Sequence, residues 1–130
     1  MSYPHVIVWL DHQKATIIDF SIDDRHVVHV ASEKPQQLHR KSGPMGAGRA
    51  PDDRQFFDEV TRAVEGSREI LVTGPGTAKV AFMADLDKRH PAVAKAVVGV
   101  EALDHPSDGE LLAFAKRYFR RVDALRGDST

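Results

Sequence analysis

The chain contains no cysteine, no long apolar run and almost no net charge. Without a thiol there is no disulfide framework, and zinc, redox or nucleophilic chemistry that runs through a thiolate is excluded because the atom is missing. Cysteine-free composition makes the cytoplasm the expected compartment. The longest apolar runs, around Val6 to Leu10 and Ala94 to Val100, the latter interrupted by Lys95, fall far short of the roughly 18 residues a membrane span requires, and no basic and then apolar leader pattern follows Met1, so no membrane association is expected. Lys and Arg number 18 against 19 Asp and Glu, a formal charge of -1, which argues against coating nucleic acid with the whole surface and leaves room only for a local basic patch. No internal repeat is visible. What is present is 130 residues, an ordinary length for one domain with its own core, and seven histidines, an excess for that length.

Hydrophobic patterning divides residues 1–126 into a single α/β domain and leaves 127–130 as a polar tail. Val6-Ile7-Val8-Trp9-Leu10 and Ala15-Thr16-Ile17-Ile18-Asp19-Phe20 read as a hairpin, and His26-Val27-Val28-His29-Val30 adds a third antiparallel strand. Residues 34–50 form a long loop with no apolar periodicity. Pro51-Asp52-Asp53 then opens a helix whose buried face carries Phe56, Phe57, Val60, Ala63 and Val64, and Gly66 stops it. Glu69 to Thr73 is a buried-strand pattern ending in Gly74-Pro75-Gly76, and Thr77 fits the N-cap of a helix to about Arg89, with Pro91 just beyond its end. Ala96 to Leu103 is a further strand, and Ser107-Asp108-Gly109-Glu110 has the spacing of a capping box before the last helix. A meander followed by two strand-helix units predicts a five-stranded mixed sheet with helices on both faces, the ribonuclease H-like layout.

Three constellations are candidates for function. The first is the loop itself: Lys34, Arg40, Lys41 and Arg49 with no acid between 34 and 49, and glycines at 43, 46 and 48 that let backbone N–H groups approach a phosphate. Arg40, Lys41, Gly46, Gly48 and Arg49 are its candidate RNA contacts, and the absence of an interleaved aromatic disfavours base stacking. The alternative is a mobile solvated loop. The second is the strand-to-helix turn at Gly74, Gly76 and Lys79, which has the position of an anion site without the spacing of a P-loop or a dinucleotide fingerprint; the alternative is a tight turn for close packing. The third is the set of strand-end groups Asp11, His12, Asp104 and His105, weak catalytic candidates that a sheet would gather at its carboxyl edge near Gly74. A two-metal nuclease needs three or four acids there, and the central strand ends in Thr73-Gly74 instead, so no metal set is assigned and turn or capping roles are the alternative. No cofactor is expected. His26 and His29, three apart on a strand, point to opposite faces and cannot chelate one ion.

The stretch Leu38-His39-Arg40-Lys41-Ser42-Gly43-Pro44-Met45-Gly46-Ala47-Gly48-Arg49, the helix with Gln55-Phe56-Phe57-Asp58-Glu59-Val60, and the strand and turn Ile70-Leu71-Val72-Thr73-Gly74-Pro75-Gly76-Thr77-Ala78-Lys79 resemble the middle domain of eukaryotic and archaeal peptide-chain release factors and Pelota. The chain is also similar to small bacterial single-domain proteins called translational machinery proteins. The resemblance covers most of the chain and implies a ribonuclease H-like fold and a partner among the ribosome, rRNA and tRNA. Release factors carry a Gly-Gly-Gln tip that positions water at the peptidyl-tRNA ester. Here Gly46-Ala47-Gly48-Arg49 stands in the loop with no glutamine after it, so Ala47 adds a Cβ where close approach matters and Arg49 offers charge in place of an amide. The resemblance therefore implies ribosome binding without peptide release, as in Pelota-like members that lack the tip. Domains that read a stop codon or recruit a GTPase do not fit in this length. Two other functions stay open: a metal-dependent nuclease or peptidyl-tRNA hydrolase at the strand-end Asp and His groups, and a protein-interaction scaffold in a stress response.

Overall fold

In the computed structural model the described residues are 4–32 and 54–125. The loop residues Arg40, Lys41, Gly46, Gly48 and Arg49, the helix opening Pro51-Asp52-Asp53 and the polar tail lie outside them. Strands β1 (His5–Leu10), β2 (Lys14–Phe20) and β3 (Arg25–Ala31) are followed by helix α1 (Arg54–Val64), strand β4 (Glu69–Gly74), helices α2 (Ala78–Arg89) and α3 (Pro91–Ala96), strand β5 (Val97–Ala102) and helix α4 (Asp108–Leu125). The strands form one sheet in the order β3-β2-β1-β4-β5. β1 pairs antiparallel with β2 and β2 with β3, whereas β4 runs parallel to both β1 and β5. The five-stranded mixed sheet expected from the hydrophobic pattern is the observed one.

β1 sits in the centre and is buried from Val6 to Leu10, so its run of five apolar residues serves both faces at once. On one face Val6, Val8, Leu10, Ile17 and Val72 meet Phe56, Phe57 and Val60 of α1 and Phe82 and Leu86 of α2. On the other, Ile7, Trp9, Ile18, Phe20 and Leu71 meet Leu111, Leu112, Ala115 and Phe119 of α4 alone. Each such aromatic or branched side chain withdraws apolar surface worth about 1.5–3 kcal/mol from water. Helices thus cover both faces: α1 and α2, with Val93, Ala94 and Ala96 of the short α3 beside them, on one and α4 on the other.

Local chemistry sets the element ends. α1 stops at Gly66, which takes φ +87°, a value that an L side chain resists, while Ser67 N–H closes the turn on the Val64 carbonyl at 3.2 Å. Ser107 and Glu110 form a reciprocal capping box: the Ser107 N–H donates to Glu110 Oε1 at 2.9 Å and the Glu110 N–H to Ser107 Oγ at 3.1 Å. Two readings change. Pro91 does not simply follow a helix end but starts α3 at N1, with His90 serving as C-cap of α2 and N-cap of α3; its N–H donates to Leu86 O at 2.8 Å and its carbonyl accepts from Val93 and Ala94. Thr77 holds the N-cap position of α2 but has helical φ/ψ (-91°, -6°) and makes no side-chain cap. Its hydroxyl is used elsewhere.

Candidate functional site

The carboxyl ends of β1, β4 and β5 meet at one edge of the sheet, and the order of the strands decides which side chains can assemble there. Asp11 leaves β1 and turns at once: its Oδ1 accepts from the Gln13 N–H at 2.8 Å and the Lys14 N–H at 2.9 Å, and its own N–H donates to Lys14 O at 3.0 Å. One carboxylate oxygen is therefore spent on shaping the β1–β2 turn. The other, Oδ2, lies 3.8 Å from His105 Nε2, and His105 Nδ1 is 3.4 Å from Asp104 Oδ1. His105 rests its ring on Trp9, with centroids 5.0 Å apart, and stays 61% exposed. Trp9 in turn donates its indole N–H to the carbonyls of Leu103 (3.1 Å) and Asp104 (2.5 Å), pinning the segment after β5 to β1.

His12 parts company with this group. Its Nε2 is 3.1 Å from Thr77 Oγ1, at the start of α2, so it belongs to the helix layer opposite the one that holds Trp9. Asp11, Asp104 and His105 are thus brought together and His12 is set apart from them. Asp104 has a side chain 94% exposed, which leaves its carboxylate hydrated. Where a nuclease would present an acid at the end of β4, Thr73 is fully buried and donates its hydroxyl to Val8 O at 2.9 Å.

The glycine turn has a packing explanation at one of its two glycines. A Cβ at Gly74 would overlap the carbonyl oxygen of Leu10, and the Gly74 carbonyl accepts from the Leu103 N–H at 3.0 Å, so this glycine lets three strand ends close on one another. At Gly76 an added Cβ meets nothing within 4 Å. Lys79 folds back and donates its ammonium to Gly76 O at 2.6 Å.

Beside this edge, on the α4 side of the sheet, lies a hollow of about 470 Å³ lined among others by Trp9, Lys14, His29, His105 and Asp108. His29 Nε2 is 3.1 Å from Asp108 Oδ2, joining β3 to the first turn of α4. His26, on the same strand, faces the opposite layer 3.9 Å from Asp19. Asp19 is lifted above the usual carboxylate range by burial, with His26 pulling the other way. The His29–Asp108 pair was invisible from local sequence because its partners are 79 positions apart; a histidine on the same strand face as an inward Val27 was its only signal.

Two further groups join a histidine to two carboxylates at separations that a metal ion could bridge. In Asp58, Asp85 and His90 the Arg89 guanidinium already supplies the positive charge: it bridges Asp58 and Asp85, which raise its pKa through these hydrogen bonds, Asp85 more than Asp58. In His5, Glu69 and Asp123, His5 Nε2 is 3.1 Å from Glu69 Oε1 and 3.9 Å from Asp123 Oδ2, and the ring packs on Phe20 and Phe119. This trio ties the amino ends of β1 and β4 to the end of α4. Neither group was legible in the sequence, since each gathers residues from separate elements.

No protein-family model and no curated protein sequence matches the chain. Solved structures do. Pelota of Archaeoglobus fulgidus superposes over 95% of this chain with a TM-score of 0.64 at 22% identity, using 33% of its own length. The archaeal translation termination factor aRF1 superposes over 95% with a TM-score of 0.61 at 15% identity and 39% of its length. An archaeal Pelota described as ribosome-bound together with ABCE1 superposes over 86% with a TM-score of 0.58 at 16% identity and 31% of its length. The chain thus spans about a third of the proteins it is similar to, and what it shares with them is the fold of that third.

Proposed function

We propose that this chain is a translation-related protein that binds the ribosome through RNA, and that it does not release peptides. The observation that carries the reading is the fold likeness to Pelota and aRF1 over 86–95% of the chain, one of those neighbours being ribosome-bound. On this reading residues 1–126 act as one domain, and Arg40, Lys41 and Arg49, flanked by Gly46 and Gly48, supply phosphate contacts from the 34–50 loop. The sequence Gly46-Ala47-Gly48-Arg49 lacks the glutamine of a release tip, which favours docking over hydrolysis.

A hydrolase at the sheet edge has less support. Asp11 gives one oxygen to its own turn, Asp104 is hydrated, His12 turns to Thr77, and Thr73 stands where a further acid would be needed. Co-sedimentation with ribosomes at low and high salt is the deciding experiment. Binding at low salt that weakens steeply with added salt, resists no ribonuclease treatment and falls in Arg40→Ala/Lys41→Ala is the expected result. Absence of ribosomal co-sedimentation, or a single protein partner retained after ribonuclease, overturns the reading in favour of a protein-interaction scaffold. Turnover of RNA or peptidyl-tRNA in the presence of divalent ions would overturn it in favour of an enzyme.

A further inference from the structure

The segment Lys116-Arg117-Tyr118-Phe119-Arg120-Arg121 of α4 contains four basic residues and no acid. Phe119 is buried against the sheet, and Lys116, Arg117, Arg120 and Arg121 are all exposed. At about 100° per residue the four cations occupy an arc of about 140°, centred opposite the buried Leu111, Ala115 and Phe119. The exposed Ala113 and Ala124 fall inside the same arc and keep it free of bulk.

A solvated helix face is ordinary; a face of one sign is not. On α2 the corresponding charges pair, Asp85 with Arg89 at i,i+4. Two of the acids on α4 lie outside the arc, Asp108 held to His29 and Asp123 facing His5; Glu110 shares the arc but sits almost two turns before Arg117, where it closes the capping box. Among the described residues none of the four cations takes part in an ion pair. Lys116 with Arg120, and Arg117 with Arg121, are like charges one turn apart, an arrangement that destabilises a helix. The helix dipole does not offset this, because it acts within the last turn and that turn holds no basic residue.

We propose that the outer face of α4 binds the phosphate backbone of RNA through Lys116, Arg117, Arg120 and Arg121. The inference rests on the RNA reading above and adds to it a surface that is separate from the 34–50 loop. Two rows of cations repeating at about 6 Å along the helix answer a polymer with regularly repeating charge, and the three arginines can each bind a phosphate through two N–H groups. A lipid surface is a poorer match, since membrane-seated helices present an apolar face and that of α4 is buried in the core. Relief of the like-charge repulsion makes binding and helix stability reinforce each other.

The test uses the full chain and a labelled mixed-sequence single-stranded RNA, with fluorescence anisotropy across a salt series. Replacing all four residues (K116Q, R117Q, R120Q, R121Q) keeps helix formers in place, and circular dichroism checks the fold. The expected result is affinity lowered by at least about tenfold at low salt, with the slope of log K against log salt shallower by about 3. A control with the same charge loss elsewhere (R54Q, R62Q, K88Q, K95Q) binds like wild type. If the four-site variant does not fold, Lys116→Gln with Arg120→Gln is expected to lower the slope by about half as much. Unchanged RNA binding in the stripe variant, or an equal loss in the control, overturns the proposal while ribosome co-sedimentation of the wild type leaves the broader reading standing. Wild-type protein that binds neither RNA nor ribosomes overturns both. Stripe-dependent binding to phosphatidylserine vesicles that exceeds RNA binding overturns the choice of ligand.

Discussion

The two faces of the sheet are built from the same central strand yet are covered in different ways. Alternate residues of β1 send Val6, Val8 and Leu10 to one side and Ile7 and Trp9 to the other. On the first side α1 and α2 share the cover with the short α3, and charges near the junction of α1 and α2 neutralise each other, Arg89 holding Asp58 and Asp85 together. On the second a single helix lies across the sheet, and hollows of about 470, 480 and 430 Å³ flank it. One helix cannot span five strands, so this face keeps grooves and histidines in contact with water, and its helix carries cations that among the described residues make no ion pair. The comparison teaches that the closed face carries stability and the half-covered face carries the chemistry a ligand would meet.

Paired substitutions sharpen that contrast. Phe82→Ala, in the closed face, removes a fully buried ring and is expected to cost about 3–5 kcal/mol in urea unfolding. Phe119→Ala, which borders the 480 Å³ hollow, is expected at the lower end of that range because water can enter the space left. Equal losses would break the distinction between the faces. Where the strand ends meet, Gly74→Ala is expected to cost about 1–3 kcal/mol through its clash with Leu10 O, whereas Gly76→Ala is neutral or stabilising by a few tenths; chemical denaturation of the pair separates a packing glycine from a merely permitted one. Ser107→Ala opens the capping box and should lower stability by about 1 kcal/mol, most visibly as faster amide exchange in the first turn of α4.

The smallest effect concerns Asp19. Its carboxyl is raised by burial, so the folded chain holds that proton more tightly than the unfolded chain does. Protonation therefore favours the folded state, and this contribution is lost as pH rises from the unfolded to the folded pKa. Asp19→Asn is expected to raise Tm by about 1–2 °C at neutral pH, and the gain should vanish in acid, below the ordinary carboxylate pKa. A gain that persists there would show that the amide helps by hydrogen bonding instead: one Asp19 oxygen is buried without a hydrogen-bond partner among the described residues.

Much of the fold was legible because its signals are local. Alternation marks β2, the Ser107-x-x-Glu110 spacing marks the start of α4, and Gly66 marks the end of α1, each acting over a few residues. α3 escaped because Pro91 both ends one helix and begins another, and a stop signal has the same residue as a start signal. Thr77 looked like a cap because its type is right; only the fold brings His12 within reach of its hydroxyl. The strand-end set was half legible: parallel strand ends converge, but side-chain direction separates His12 from His105. The cationic stripe hides in a linear count because Asp108, Glu110 and Asp123 share its helix; Asp108 and Asp123 separate from it only when the buried side of α4 is known, and Glu110 by its place in the first turn.

The pairing of β1 with β4 has a kinetic consequence. The meander β1-β2-β3 closes over turns as short as residues 11–13, whereas the Thr73 hydroxyl reaches Val8 O across 65 positions. Closing the longer loop costs a little over four doublings of length, roughly 2.5 kcal/mol more in chain entropy. The meander is therefore expected to form first and β4 to dock on it late, with the search for that parallel register slowing assembly of the sheet. Shortening the connection between β3 and α1 should quicken refolding far more than it slows unfolding.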